Sequence, residues 1–246
     1  MAAKDWLNKG ILSYNSKDYE KAIKYFDKAI EHDDRYIDAY CNKGLVLEGL
    51  GRYREAIVCY NKAILLSPNN EYLYYFKGNS LYYLERYEEA LKYYDKAIGL
   101  NSRIAYTYFN KGLVYGALDR YEEALGCFDR AIELEPNDAE TYYNKALTLY
   151  YMDRLEEAVE FYEKAIEAGA GCAEIYNNMG HTLYCLDRYE EALICFDSAI
   201  ELDDSSTAFY ENKASALNAL GKYRDAGECY NRIREIDFNC RPTPVY

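Results

Sequence analysis

Near-copies of one eight-residue string return every 34 residues: "WLNKGILS" from Trp6, "YCNKGLVL" from Tyr40, "YYFKGNSL" from Tyr74, "YFNKGLVY" from Tyr108, "YYNKALTL" from Tyr142, "YNNMGHTL" from Tyr176 and "YENKASAL" from Tyr210. A fixed period in this range means a stacked array, in which each copy is a small unit whose apolar face is covered by the next. The chain divides without a gap into seven units, 3–36, 37–70, 71–104, 105–138, 139–172, 173–206 and 207–240, followed by a short extended tail, "RPTPVY", at 241–246. Each unit reads as two helices. The first carries an aromatic near its start and a Gly or Ala four residues later, and a turn such as "LGRY", "LERY" or "LDRY" follows. The second is patterned like "YEEALKYYDKAI", with apolar residues at three- and four-residue spacing. "SPNN" at 67–70 and "EPND" at 135–138 stop one unit and cap the next.

These columns resemble the tetratricopeptide repeat over residues 3–240, 238 of the 246. The fourth unit alone supplies Tyr108, Gly112, Tyr115, Tyr121, Ala124, Phe128, Ala131 and Pro136. The tyrosine-rich flavour and the "NKG" string look like repeats of archaeal and bacterial proteins. The resemblance implies an all-α, right-handed superhelical solenoid of seven helix-turn-helix units, with the first helices lining its inner, concave surface. Side-chain volume agrees with that fold. Gly10, Gly44, Gly78, Gly112 and Gly180, with Ala146 and Ala214, let the helices of a unit approach, while Ala22, Ala56, Ala90, Ala124, Ala158, Ala192 and Ala226 fill the opposing face. Tyr and Phe columns wedge between units.

Composition narrows the function. The net charge of -13 disfavours nucleic acid, whose affinity rests on Lys and Arg neutralising phosphates. No apolar stretch approaches the ~20 residues of a membrane span. The start, "MAAKDWLNKG", lacks a signal-peptide pattern, so the chain is read as cytoplasmic. Cys59, Cys127, Cys195 and Cys229 form one repeat column, filled elsewhere by Tyr25, Tyr93 and Phe161, which makes them packing residues. Only two histidines, His32 and His181, are present, with no metal-ligand spacing, phosphate loop or G-x-S-x-G. The Glu pairs Glu88-Glu89, Glu122-Glu123, Glu156-Glu157 and Glu190-Glu191 open second helices, where negative charge complements the helix dipole. Neither catalysis nor a cofactor is expected.

The asparagine column is harder to explain. Asn8, Asn42, Asn110, Asn144, Asn178 and Asn212 occupy six of the seven units, with Phe76 the exception, although asparagine is a mediocre helix residue. Two readings stand. The amides are a structural ladder that bonds neighbouring backbone, or they present a donor and an acceptor together to an extended peptide. The second resembles the asparagine ladders of the O-GlcNAc transferase and importin-α class of solenoids. It makes Asn42, Asn110, Asn144, Asn178 and Asn212 peptide-binding residues, flanked by Tyr72, Tyr75, Asn79, Tyr106, Phe109, Tyr143, Tyr150, Asn177 and His181. The charges on this side are mostly acidic (Asp38, Glu48, Glu140, Glu174, Glu211), which favours a neutral or basic protein segment. The basic carboxylate clamp of the family's best-known site is missing, since the corresponding slots hold Leu7, Ile11, Tyr72 and Phe76, or Tyr75 and Glu140. The alternative function is a self-assembling scaffold whose groove or ends contact other copies.

Three local expectations complete the reading. Lys9, Lys43, Lys77, Lys111, Lys145 and Lys213 are expected to snorkel and to pair with Glu55, Glu89, Glu123 and Glu157. The "EAGAGCA" stretch at 167–173 suggests a looser joint after the fifth unit. Arg234 replaces the isoleucine of Ile30, Ile64, Ile98, Ile132, Ile166 and Ile200, so the stack is expected to end there with the last unit capping itself.

Overall fold

The computed structural model describes residues 2–239, so the expected tail at 241–246 lies outside the described residues. The chain forms two compact units, Met1–Arg120 and Tyr121–Tyr246. The first contains α1 (Ala3–Asn15), α2 (Tyr19–His32), α3 (Ile37–Gly49), α4 (Tyr53–Leu66), α5 (Glu71–Tyr83), α6 (Tyr87–Leu100) and α7 (Ala105–Ala117). The second contains α8 (Tyr121–Leu134), α9 (Ala139–Tyr151), α10 (Leu155–Glu167), α11 (Ala173–Cys185), α12 (Tyr189–Leu202), α13 (Thr207–Ala219) and α14 (Tyr223–Asn239). Among the described residues there are fourteen helices in successive helix-turn-helix pairs and no strand. Odd-numbered helices are the first helices of the sequence repeat. Within each unit a second helix packs on its own first helix and on the first helix of the next repeat.

The turn inside a repeat has one chemical demand. The chain must reverse through a left-handed residue, which is Gly51 at φ 72° and, without glycine, Lys17, Glu85, Asp153 and Asp187 at 58–61°. The next N–H then bonds back to the first helix, as from Arg52 to Leu47 O (2.8 Å) and from Arg154 to Leu149 O (2.9 Å). That arginine also forks onto the glutamate three residues on: Arg52 to Glu55, Arg86 to Glu89, Arg154 to Glu157 and Arg188 to Glu191, at 2.6–2.8 Å. The "RYEEA" string is thus a helix start held by its own ion pair.

The core is a row of rings against small residues. Phe26, Tyr60 and Tyr94 in the first unit, and Phe128, Tyr162 and Phe196 in the second, are at most 1% exposed. Phe26, Tyr60, Tyr94 and Phe196 press so closely on the first helices that a Cβ on Gly78 would lie 2.6 Å from the Tyr94 ring, and one on Gly180 2.7 Å from Phe196. Tyrosine rather than phenylalanine opens the first helices because its hydroxyl ties the helix to the loop before it. Tyr40 donates to Asp34 O (3.2 Å), Tyr74 to Pro68 O (2.9 Å) and Tyr142 to Pro136 O (2.8 Å). Cys59, Cys127, Cys195 and Cys229 are buried in this core. Arg234 is exposed on α14, whose 17 residues exceed the 14 of α12.

The lysine pairing differs from the sequence expectation. Lys43 bonds Asp27 (2.5 Å), Lys111 bonds Asp95 (2.6 Å), Lys145 bonds Asp129, and Lys213 bonds Asp197 (2.5 Å). Lys77 donates to Asn61 (2.5 Å) and to the Tyr93 hydroxyl (2.6 Å). The partner is therefore the residue 16 positions earlier, on the preceding repeat's second helix, and these lysines staple one repeat to the next. Glu55, Glu89 and Glu157 pair instead with the turn arginines, which reach them from within the same helix turn.

Candidate binding face on the first helices

Within each unit the asparagine column lies on first helices that contact one another, as α5 with α7 and α11 with α13, and its amides follow two habits. Asn110 Nδ2 reaches from α7 to α5, donating to the Tyr75 hydroxyl (2.9 Å) and to Asn79 Oδ1 (3.0 Å). Asn178 Nδ2 reaches from α11 to the Tyr143 hydroxyl on α9 (3.0 Å), and Asn212 Nδ2 from α13 to Asn177 Oδ1 on α11 (2.8 Å). Asn42 and Asn144 instead turn back onto their own helices, donating to Asp38 O (2.8 Å) and Glu140 O (2.9 Å). In the first unit the choice follows the residue 35 positions earlier: Asn110 crosses to Tyr75, whereas Asn42, which has Leu7 at that spacing, turns back. In the second unit Asn178 and Asn212 cross to Tyr143 and Asn177 at the same spacing.

In the first unit these bonds assemble a part-buried network. Asn79 Oδ1 also accepts from the Tyr94 hydroxyl (2.8 Å). Tyr75 meets Tyr106 edge-on with ring centres 4.5 Å apart. Tyr106 and Tyr72 remain open to solvent, 36% and 45% exposed. Burial first, and then the neighbouring Tyr72 and Tyr75, push the Tyr106 phenol up to about 12. Phe109 is half-buried on the same helix, and Phe76, in the asparagine slot, stacks on Tyr60 at 5.8 Å. Beside this network Glu48 accepts from Ser80 Oγ (2.8 Å) and the Tyr60 hydroxyl (3.2 Å). Burial raises its pKa above the ordinary carboxylate value even against these two bonds. Sequence reasoning placed Glu48 among the charges of this face but did not foresee a hydrogen-bonded, half-buried carboxylate. The signal available was its place in a column that holds tyrosine in Tyr14, Tyr82, Tyr150 and Tyr184.

In the second unit Tyr150 and His181 form an edge-on pair with ring centres 5.7 Å apart, the hydroxyl 3.2 Å from Nδ1. With Leu147, Tyr151, Tyr162 and Asn178 they line a cavity of about 200 Å³. Burial raises the Tyr143 phenol, while the Asn178 hydrogen bond works the other way. The structure thus brings together Tyr72, Tyr75, Asn79, Tyr106 and Asn110 in the first unit. In the second it joins Tyr143 with Asn178, Asn177 with Asn212, and Tyr150 with His181. Asn42 and Asn144 share the column but no such partner. Tyr151 and Tyr162, which line the small cavity, were missing from the sequence-derived site. Among the described residues no three His, Cys, Asp or Glu side chains gather as a metal site.

Sequence profiles of the tetratricopeptide repeat match residues 3–36 and 37–70, then 69–134, 103–170, 137–205 and 177–238. No curated protein matches the chain. Solved structures do. The chain is similar to YrrB, described as a TPR protein with an unusual peptide-binding site, at 28% identity and a TM-score of 0.64 over 76% of this chain and 97% of that one. PilF of Pseudomonas aeruginosa superposes with a TM-score of 0.74 at 21% identity, covering 87% and 97% of the two chains. MamA of Desulfovibrio magneticus gives 0.64 at 23% identity over 68% and 94%. The last two speak for the fold alone.

Proposed function

The chain belongs to the tetratricopeptide repeat family, and from that premise we propose that it is a non-enzymatic scaffold whose first helices bind an extended protein or peptide segment. One observation carries the reading: tyrosines, amides and a histidine on successive first helices are held half-exposed by bonds to one another. Such a face is rigid before any partner arrives, which lowers the entropy lost on binding. The amides of Asn110, Asn178 and Asn212 each commit an N–H inward and keep a carbonyl oxygen, so they act on a ligand chiefly as acceptors of backbone N–H groups. A net ~0.5–1.5 kcal/mol per hydrogen bond over a few amides falls short of the ~8 kcal/mol of a micromolar complex. The aromatics Tyr72, Tyr106, Tyr150 and His181 therefore supply the anchors. YrrB, with its own peptide-binding site, is consistent with this use of the fold. The net charge of -13 favours a neutral or basic segment. No described helix is long and apolar enough to cross a membrane, and we read the scaffold as cytoplasmic.

The test is a displayed library of random peptides panned against the full chain. A selected peptide is then titrated by fluorescence anisotropy against the native protein, Tyr72→Ala, Tyr106→Ala and His181→Ala. Outer-face controls are Val58→Ala and Ile194→Ala, at side chains 61% and 67% exposed on second helices. Loss of an aromatic anchor is expected to weaken binding about tenfold, with the controls unchanged. Binding that follows the controls instead would overturn the assignment of the face.

A further inference from the structure

Leu66, Leu100, Leu134 and Leu202 end their second helices, but the matching residue after α10 is Ala168, followed by Gly169, Ala170, Gly171 and Cys172. Helix α10 is 13 residues long where α8 and α12 have 14. The turn here is hydrogen-bonded. Ala168 N–H bonds Lys164 O, Gly169 N–H bonds Ile166 O and Ala170 N–H bonds Ala165 O, all at 3.0 Å. Gly169 sits at φ 102°, where a side chain is strained. What the segment lacks is side-chain volume, and the result is a cavity of about 600 Å³ at the starts of α9 and α11. Its apolar lining includes Ala168, Ala170, Ile175 and the Tyr143 ring, and the exposed Glu140 and Glu174 also line it. Neither glutamate has an ion-pair partner among the described residues, whereas Asp138, also at this cavity, accepts from Thr141 Oγ. Tyr143 is the residue that Asn178 bonds, so the cavity adjoins the binding face of the same unit.

We infer that this cavity is a subsite for a basic side chain, arginine or lysine, carried by the segment proposed above to lie along the first helices. The inference rests on that reading for its ligand but on the cavity's chemistry for its specificity. An aliphatic stem fits against alanine and isoleucine, and its cationic head ends between two unpaired carboxylates beside an aromatic ring. An acidic side chain would meet like charge, and an uncharged one would forgo the attraction of the two carboxylates. Four of the other repeats carry a leucine where this one has Ala168.

The experiment uses methyl NMR on the full chain, following Ala168, Ala170 and Ile175. The probes are N-acetyl-arginine-N-methylamide and its lysine, norleucine and glutamate counterparts. The arginine and lysine probes are expected to move these methyls saturably, norleucine to bind about fivefold more weakly, and glutamate to leave them unmoved. Ala168→Leu, which installs the residue found in four other repeats, should abolish the response. Glu140→Gln with Glu174→Gln, both at exposed positions, should bring arginine down to the level of norleucine. Equal binding of arginine and norleucine, no response at these methyls, or an undiminished response in Ala168→Leu overturns the inference. The readout needs no peptide. A cavity that takes the arginine probe in a protein that selects no peptide would refute only the segment-binding reading. Selected peptides that bind through Tyr106 while the probe moves nothing would refute only the subsite.

Discussion

Replacing Asn110 and Asn42 by alanine, one at a time, should move stability in opposite directions. Asn110→Ala removes two part-buried bonds, at 2.9 and 3.0 Å, that tie α7 to α5. At about 0.5–1.5 kcal/mol each, offset by the roughly 0.5 kcal/mol that alanine gains in a helix, the net loss is about 0.5–2.5 kcal/mol. Asn42→Ala removes only a bond to Asp38 O on its own helix, an interaction that competes with the helix rather than joining two of them. There the propensity gain dominates, and the variant should be about 0.5 kcal/mol more stable. The two variants lie in the same compact unit and make the same chemical change, so urea unfolding of the pair isolates the cross-helix bond. Hydrogen exchange should localise the Asn110→Ala effect to α5 and α7. Equal shifts of the same sign would refute the reasoning, because the column would then have one energetic role regardless of its partner.

Other perturbations follow from the same geometry. Gly180→Ala places a methyl 2.7 Å from the Phe196 ring while Gly126→Ala meets nothing within 4 Å; thermal unfolding should show the first destabilised by about 1–3 kcal/mol and the second stabilised by about 1 kcal/mol. Glu48 holds its proton more tightly folded than unfolded, so the stability tied to that proton is present below the ordinary carboxylate value and is lost as pH rises through the raised one. Glu48→Gln keeps an acceptor for Ser80 and Tyr60; it should exceed the native protein in stability at neutral pH, with the gap closing below about pH 4 in a chemical-denaturation series. Burial pushes the Cys59 and Cys195 thiols up to about 11, whereas Cys172 and Cys185 are exposed. Iodoacetamide followed by mass spectrometry should label the exposed pair at once and the buried pair only on unfolding.

The repeat period made the helix pairs legible because each column serves one packing role seven times over. The rings at Phe26 through Phe196, the glycines facing them and the left-handed turn residue all answer to that one demand. Partners between repeats were less legible. Pairing Lys43 with Glu55 looks natural within a repeat, yet Asp27 on the preceding second helix is the group within reach, and the turn arginine already holds Glu55. The register of 16 was nonetheless written in the sequence. Every lysine of the column after the first faces Asp or Asn at that spacing, and Met179 faces Glu163. The asparagines posed a similar problem. Their roles divide by the residue 35 positions earlier, which is a property of two repeats together and cannot be read from either alone. The cavity beside Tyr143 was hidden for a different reason: the glycines of "EAGAGCA" drew attention to the backbone, whereas the cavity comes from the small side chains of Ala168 and Ala170.

The central claim is that the first helices form the binding face, and the most direct measurement is where a bound segment touches the chain. A peptide selected by display should be titrated into isotope-labelled protein while the side-chain amide signals of Asn110, Asn144, Asn178 and Asn212 are followed. Methyl signals of Val58, Leu65, Ile194 and Leu202 on the exposed faces of second helices serve as the reference. The asparagine amides, with Tyr106 and His181, are expected to shift and saturate together while the reference methyls stay in place. Saturable shifts at the reference methyls with the amides unmoved would contradict that claim.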